Sequence, residues 1–330
     1  MANEYIPSYQ GYVALQKTGG VGYPATPAVQ YGFAAARIIP VNVLANMYPG
    51  VIGASSYPTV AYAGKKRAGY TIFAYCQPPK TGASNIVYGM DAALFNALLF
   101  NLSGSPAATD KWSAKMYNTL QTRTWDWGRC SHVVIQGSGS GGGVVVQMGF
   151  LSRWGESEAP FGTTLPDGEA VPAAPTWFTP TAAELAGELD DVTDYDFRSD
   201  TKSAGSAGAG TFTADQVRSF TLHLVRGQGY VDYLDNTRSP KEIATGGFTG
   251  GLTLEQNPVA SSIPSVSSTL RLHSNQGAAY TKAVKFALLL KEDSHDQPMD
   301  AGIETRVTNY TLYDQSAGGN PATCSAFTLT

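Results

Sequence analysis

One pattern of proline, glycine and strand-forming residues occurs twice in this 330-residue sequence. Residues 56–75 read SYPTVAYAGKKRAGYTIFAY, and residues 239–258 read SPKEIATGGFTGGLTLEQNP. In each copy a proline, Pro58 or Pro240, is followed by glycines six and eleven residues later and then by an apolar–Thr–apolar run. Because only Gly adopts positive φ freely, the pattern predicts a glycine-rich turn that leads into a strand in both places.

A strand-like segment precedes each copy of this pattern by about twenty residues. The two segments are ARIIPVNVL at 36–44 and VRSFTLHLV at 217–225, both rich in β-branched and apolar residues. The agreement in order and spacing predicts a duplicated domain. We therefore expect residues 70–75 and 252–256 to lie in equivalent strands.

The repeat and the chain length predict two mostly antiparallel β domains, each sandwich-like or barrel-like. We expect these domains at residues 34–152 and 213–330. Residues 1–33 and 153–212 are rich in Gly, Ala and Pro. We predict that they form an N-terminal arm and a linker or extended loop, because connections this long are uncommon inside a compact domain.

The first domain contains the clearest helical signal, DAALFNALLFNLSG at residues 91–104. Asp91 is a suitable N-cap, the leucines and Phe95 share one face, and Gly104 is a suitable C-terminal cap. We expect this helix to cover one side of a sheet. Strand patterns predict further β-strands at 111–118, 124–136, 143–151, 268–273, 282–292 and 305–314, with a hairpin turn at 137–143.

The arm and the linker contain large apolar residues that a disordered tract would lack. These are Tyr5, Ile6, Tyr9, Tyr23, Trp177, Phe178 and Tyr195. We expect at least one of the two segments to become ordered against a neighbouring subunit. The alternative is that they fold back on their own domain.

The charge content of the chain is low, with 15% charged residues and a net charge of −4. The basic triplet Lys65-Lys66-Arg67 is predicted to be a solvated loop tip. The chain therefore lacks the basic stripe of a nucleic-acid-binding protein.

The three cysteines, Cys76, Cys130 and Cys324, form no C-x-x-C pair, so they predict neither a disulfide framework nor a zinc site. The N-terminus is polar and no long apolar run is present. We expect no membrane partner, and synthesis and assembly in the host cytoplasm.

Sequence motifs for catalysis and cofactor binding fail one by one. GSGSGG at 137–142 satisfies the dinucleotide pattern, but the strand-like VVVQMGFL follows it where a helix is required. His132, His223 and His273 lie in strand patterns, and we interpret them as hydrogen-bonded or solvent-facing residues. We predict no catalytic residue, no cofactor site and no enzymatic activity.

His295 lies in EDSHDQPMD beside Asp293, Asp296 and Asp300. This cluster could coordinate a metal, but the segment is more typical of a polar loop, and we predict no metal site.

The segment TWDWG contains Trp125 and Trp127, which a regular strand would place on one face. One interpretation is a platform for stacking sugars. The other, which we favour, is cross-strand packing or a subunit contact.

Two stretches of the chain resemble tail tube (major tail) proteins of long-tailed bacteriophages. Residues 111–155 contain a strand, then GRCSHVVI, a Gly/Ser turn and VVVQMGFL, and resemble the closing part of such a protein. Residues 217–257 resemble the opening of the same kind of domain. The resemblance covers about 90 residues of the chain.

This resemblance implies a virion protein that self-assembles into stacked rings around a lumen through which DNA passes in transit. Tape-measure and tail-terminator or tip proteins are the further partners that it implies. Most such proteins have one domain and form hexameric rings, so three two-domain chains would form a trimeric ring with pseudo-sixfold symmetry. The acidic balance of the chain fits a conduit that must not retain DNA.

Two other functional classes stay open at this point. The aromatic residues and carboxylates are compatible with a carbohydrate-binding or glycoside-acting β-protein. A decoration or capsid protein is the other alternative, and it would assemble on shells rather than as tubes.

Overall fold

The structure is a computed structural model of the chain. It describes residues 12–17, 29–34, 36–43, 47–50, 60–63, 67–75, 80–82, 85–90, 94, 97–98, 111–117, 122–138, 144–156, 176–181, 183, 195–201, 217–232, 240, 242–256, 268–274, 281–286, 288–296 and 305–312.

Eighteen β-strands account for most of these residues and confirm a mainly β fold. They are β1 (Tyr12–Lys17), β2 (Gln30–Ala34), β3 (Arg37–Val43), β4 (Met47–Gly50), β5 (Val60–Ala63), β6 (Arg67–Tyr75), β7 (Lys80–Thr81), β8 (Ile86–Tyr88), β9 (Trp112–Tyr117), β10 (Thr122–Ser138), β11 (Val144–Ser152), β12 (Tyr195–Thr201), β13 (Val217–Val231), β14 (Glu242–Gln256), β15 (Ser268–Ser274), β16 (Thr281–Phe286), β17 (Leu288–Asp296) and β18 (Thr305–Leu312).

Thirteen of the strands form one open sheet rather than two separate sandwiches. One line of neighbours runs β3–β6–β11–β10–β13–β14–β18–β17, and the side branch β9–β1–β2–β8–β7 also starts from β10. Strand β10 joins them because it is 17 residues long and pairs with β9 and β13 in succession. Two small sheets, β12–β15–β16 and β4–β5, complete the described strands.

The strand order contains two four-stranded units. We call β3–β6–β11–β10 the first unit and β13–β14–β18–β17 the second unit. The pairing of β3 with β6 matches that of β13 with β14: Ile39 is opposite Thr71 in the first unit, and Thr221 is opposite Thr253 in the second. Ile39 precedes Thr221 by as many residues as Thr71 precedes Thr253. Pro58 precedes Pro240 by the same number of residues. Residues 70–75 and 252–256 therefore lie in equivalent strands.

The other two strands of each unit also match. His132 of β10 is opposite Gly149 of β11, and Glu292 of β17 is opposite Asn309 of β18, with an equal shift along the chain for both partners. Each pair has an irregularity at the same place, between Cys130 and His132 in β10 and between Leu290 and Glu292 in β17. Because a β-bulge changes local twist and register, its recurrence makes the two units alike in shape as well as in order.

The glycines of the repeated pattern lie inside strands, which corrects the prediction of a turn. Gly69 is within β6 and Gly246 is within β14. A Cβ at Gly69 would lie 2.6 Å from the carbonyl oxygen of Phe150, so glycine permits a close approach of β6 and β11. Pro58 and Gly64 lie outside the described residues.

Alternate residues of both units point to one buried face, as the period of a strand requires. This face holds the main apolar core, whose unit members include Tyr70, Ile72, Val146, Met148, Phe150, Val133, Ile135, Phe220, Leu222, Leu224, Leu252 and Leu254. The predicted helix is present at its described residues Leu94, Ala97 and Leu98. Leu94 and Leu98, one helical turn apart, are fully buried in the same core.

Part of the predicted N-terminal arm is in fact folded on its own chain. β1 pairs with β9 and β2 pairs with β1, and Val13, Leu15 and Phe33 are buried in the core. The alternation of large apolar residues in these short segments is sufficient for two strands. Tyr5, Ile6, Tyr9 and Tyr23 lie outside the described residues.

The predicted linker also contains structured segments. The Gln30 side chain accepts a hydrogen bond from the Phe178 amide at 2.8 Å and donates one to the Phe178 carbonyl at 3.0 Å. Trp177 and Phe178 pack on the small cluster of Tyr12, Ala14, Ile86 and Tyr88. Tyr195 begins β12, which pairs with β15, so segments of 153–212 order against their own chain.

Candidate assembly interface

The two units meet along β10 and β13. Seven residue pairs join them, from His132 opposite Val225 to Ser138 opposite Ser219. On the buried side, Phe220, Leu222 and Leu224 continue the core of the first unit. The two units therefore share both a hydrogen-bonded ladder and a hydrophobic core.

The hairpin of the second unit extends past the shared ladder and crosses the first unit. Gln228 donates to the Cys130 carbonyl at 2.7 Å, and Arg129 donates to the Ile243 carbonyl at 2.9 Å. Arg153 donates to the Pro240 carbonyl at 2.9 Å. These side chains provide hydrogen-bond donors to three backbone carbonyls, so they link the hairpin to the first unit at three points.

The tip of this contact is an aromatic ion-pair cluster. Arg67 donates two hydrogen bonds to the Asp232 carboxylate, one at 2.9 Å, and its guanidinium lies 4.8 Å from the centre of the Tyr230 ring. The hydrogen bond to Asp232 raises the pKa of Arg67. The Tyr230 hydroxyl donates to the Ala68 carbonyl, and burial raises the pKa of Tyr230. This corrects the loop-tip prediction for Arg67, while Lys65 and Lys66 lie outside the described residues.

His132 and His223 lie close together at the junction, on the face opposite the core. Because Ser131 donates to the Gly149 carbonyl at 3.2 Å, its oxygen accepts from His132 Nδ1 at 3.1 Å. The Gln147 amide lies 3.1 Å from His132 Nε2 and donates to it. Burial, and then the charge of His223, lower the pKa of His132. The network therefore favours the neutral imidazole with its proton on Nδ1.

The two tryptophans of TWDWG are both buried and do not form a flat platform. Trp125 and Trp127 are 1% and 2% exposed, so neither presents a ring to a sugar. A register shift between Trp125 and Gly128 places Trp127 at φ 60°, a conformation that a bulky residue adopts only under strain. Lys111 lies over its ring at 4.1 Å and Trp154 packs edge-on at 4.7 Å. Pairing of β10 with β9 resumes after the bulge at Gly128 opposite Trp112 and ends there, and pairing of β10 with β13 begins at His132.

Asp126 lies at this bulge and is also buried. Its Oδ1 has no hydrogen-bond partner in the described structure. Burial raises its pKa, and a hydrogen bond from Ser113 partly opposes that change. The Asp126 carbonyl accepts a hydrogen bond from Ser152 at 2.5 Å, which ties the bulge to β11.

The remaining titratable candidates lie in two different sheets. His273 pairs with Asp196 between β15 and β12, and His295 pairs with Arg306 between β17 and β18. Asp293 and Asp296 lie in β17 rather than in the predicted polar loop, and Asp300 lies outside the described residues. Within the part of the chain that the structure describes, no group of three His, Cys, Asp or Glu residues could hold a metal ion.

Cys130 is a buried free thiol, and burial raises its pKa, so it is unreactive in the folded chain. Cys76 and Cys324 lie outside the described residues.

The face opposite the core is open and mostly uncharged. In the second unit it holds a shallow groove with Thr221, His223, Thr253, Asn309 and Thr311 among its lining residues. By the alternation of the strands, the members of this face whose side chains are described carry charge at Arg37, Arg67, Arg129 and Glu255, and Arg67 is paired with Asp232. The described part of this face therefore has a few separate cations rather than the continuous cationic surface that holds a phosphate backbone.

The two ends of the eight-strand row complete the candidate interface. Among the described strands, β3 pairs with β6 alone and β17 pairs with β18 alone. β3 is the equivalent of β13, and β17 is the equivalent of β10. The free edges of the row therefore correspond to the two strands that already pair at the junction.

No protein-family model and no curated protein sequence matches this chain. In the described residues, no helix has both the length and the hydropathy needed to cross a membrane.

The sequence did not predict that Arg67, Arg129, Arg153, Tyr230 and Asp232 meet at a junction. One signal could have drawn attention to the hairpin, because Tyr48 precedes Tyr230 by the same spacing as Pro58 precedes Pro240 and so follows the same repeat. The arginines had no such signal, since only the fold brings their partners near: the Asp232 carboxylate for Arg67 and backbone carbonyls for Arg129 and Arg153.

Proposed function

We propose that this chain is a structural subunit that assembles into rings, and that the rings stack into a tube of the bacteriophage tail tube type. The observation that carries the proposal is the equivalence of the free edges, β3 and β17, with the paired strands β13 and β10. A protein whose two ends reproduce its own internal joint can repeat that joint between chains.

The register of the contact between chains follows from the internal joint. His132 is opposite Val225 at the junction. The equivalent of His132 in β17 is Glu292, and the equivalent of Val225 in β3 is Val43. We expect Glu292 of one chain opposite Val43 of the next, and Asp296 opposite Ile39.

This contact is heterologous, since it joins two different edges, and heterologous contacts close into rings when the rotation permits. Two units per chain suit a ring of three chains with pseudo-sixfold symmetry. Stacking of such rings head to tail gives an open tube.

In such a ring the open face would line the lumen, because the other face is covered by the core of each chain. Its mostly uncharged side chains suit DNA that passes without being held. On this proposal the protein functions in the virion tail.

Cysteine crosslinking tests the edge contact. In a background with Cys76 and Cys324 replaced by Ser, Ile39→Cys and Asp296→Cys are combined. The matched control pairs Ile39→Cys with Asp293→Cys, which lies three positions out of register in β17. The proposal predicts covalently closed trimers for the first pair, none for the control, and tubes in negative-stain micrographs of concentrated protein. Shells would indicate a decoration or capsid protein, and dispersed particles would overturn self-assembly.

A further inference from the structure

Each unit has a hairpin that extends beyond the main sheet. In the second unit it is the outer part of β13 and β14, where Tyr230 is opposite Ile243. In the first unit it is the separate pair β4–β5, where Tyr48 is opposite Tyr62. The register of β4–β5 continues that of β3–β6 without a shift, whereas the register of β13–β14 shifts by one residue between Arg226 and Gln228. Both hairpins prolong the same pair of strands, and Tyr48 still corresponds to Tyr230 because the additional residue lies in β14 and not in β13.

The two hairpins differ in what they contact. The second-unit hairpin lies across the first unit and is held by Arg67, Arg129 and Arg153. Within the described strands, β4 and β5 pair with each other and with no further strand. In the first unit, the hairpin contacts Arg67 and Ala68. The equivalent residues of the second unit are Thr249 and Gly250.

We propose that the β4–β5 hairpin binds across the second unit of a neighbouring copy of this chain, against Thr249 and Gly250 of β14. These two residues are the equivalents of Arg67 and Ala68, by the spacing that relates β6 to β14. Thr249 is exposed and Gly250 is partly exposed, so the surface is accessible in the single chain. This inference rests on the proposed ring, because only a repeated joint brings the two surfaces together.

Tyr48 is the residue expected to make the contact. Tyr230, its equivalent, donates a hydrogen bond to the Ala68 carbonyl, and the corresponding acceptor is the Gly250 carbonyl. A backbone carbonyl is available whatever the side chain, so the contact tolerates the change from Ala to Gly.

The ion pair of the internal joint would be missing between chains. The positions equivalent to Arg67 and Asp232 hold Thr249 and Gly50, which cannot form a salt bridge. The contact between chains should therefore depend less on salt than the contact within the chain.

Photocrosslinking separates the two contacts. The photoreactive residue p-benzoylphenylalanine replaces Tyr48 in one variant and Tyr230 in a matched control, and crosslinked peptides are identified by mass spectrometry. The control should give crosslinks to residues 67–68 of the same chain, and the Tyr48 variant should give crosslinks between chains to residues 249–250. The same probe at Thr249 should reach residues 47–50 of another chain and covers the case in which the Tyr48 variant misfolds.

The outcomes distinguish this inference from the proposed function. Rings or tubes without crosslinks between the hairpin and residues 249–250 would overturn the hairpin contact alone. Crosslinked chains that never form rings would overturn the tube function and leave the hairpin contact standing. Dispersed single chains without crosslinks would overturn both.

Discussion

The two units of this chain share a backbone plan but use different side chains on the open face. Arg37 stacks over Phe73 at 5.1 Å in the first unit, whereas at the equivalent positions Ser219 donates to Glu255 at 2.9 Å. The next pair of equivalent sites shows the same contrast. Gly149 is opposite Thr71 in the first unit, whereas Thr253 donates to Asn309 at 2.8 Å in the second.

The difference shows that register and bulge position do not depend on any one cross-strand pair. They follow from the buried face, where a one-residue slip would expose every core side chain. The open face is then free to carry different chemistry in each unit. This predicts that substitutions on the buried face have large effects and that exchanges on the open face have smaller ones.

The largest expected effect is that of Tyr70→Ala. Tyr70 is fully buried, packs on Phe150 at 4.8 Å between ring centres, and donates to the Trp112 carbonyl at 2.8 Å. Loss of a buried ring should lower the free energy of unfolding by about 3–5 kcal/mol, measured by urea denaturation. The control is Leu252→Ala, the equivalent change in the second unit, which removes a smaller buried side chain and should leave a smaller cavity. A cost below about 1 kcal/mol for Tyr70→Ala would contradict the shared core.

The next effect is that of Gly149→Asn, which places the residue of the second unit into the first. A Cβ at Gly149 would overlap the imidazole of His132, so the ring or the strand must move. We expect a loss of about 1–3 kcal/mol in the same denaturation assay, and partial recovery in the double variant with His132→Ala. A stable single variant with an unmoved His132 would show that the two open faces are interchangeable.

A pH effect on stability is expected from His132, which lies at the junction of the two units. Its equivalent in the second unit is Glu292 of β17. Because burial lowers the pKa of His132 in the folded chain, the unfolded chain binds the proton more tightly. His132 therefore does not lower the free energy of unfolding at a pH above its pKa in the unfolded chain, about 6.5. Below that pH, the free energy of unfolding decreases as the pH falls. Gln147→Glu should reduce this loss by accepting a hydrogen bond from the protonated ring. An unchanged pH profile of unfolding in both His132→Gln and Gln147→Glu would contradict this assignment.

The smallest expected effect is that of Arg67→Ala. The Arg67–Asp232 pair is partly exposed, with side chains 31% and 28% accessible, and such pairs contribute about 0.2–1 kcal/mol. The loss should shrink at high salt. Thr249→Ala, at the equivalent site of the second unit, is the matched control and should be neutral in the single chain. Equal costs for the two variants would mean that the ion pair does not distinguish the joints.

The sequence predicted the mainly β fold, most strands, the described part of the helix and the equivalence of 70–75 with 252–256. These features depend on local periodicity and spacing, which one sequence records. It did not predict that β1 and β2 belong to the sheet, because short apolar segments between glycine-rich stretches resemble arms. The joint between β10 and β13 was also missed, since it depends on a pairing between distant segments and on distant carbonyls that no local pattern records.

The central claim is that the free edges β3 and β17 repeat the internal joint between chains. A cryo-electron microscopy reconstruction of the assembled protein tests it most directly. The account predicts three chains per ring, with β17 of one chain antiparallel to β3 of the next and Glu292 opposite Val43. A ring of six chains, a ring in which these two edges do not pair, or the absence of any ring would contradict it.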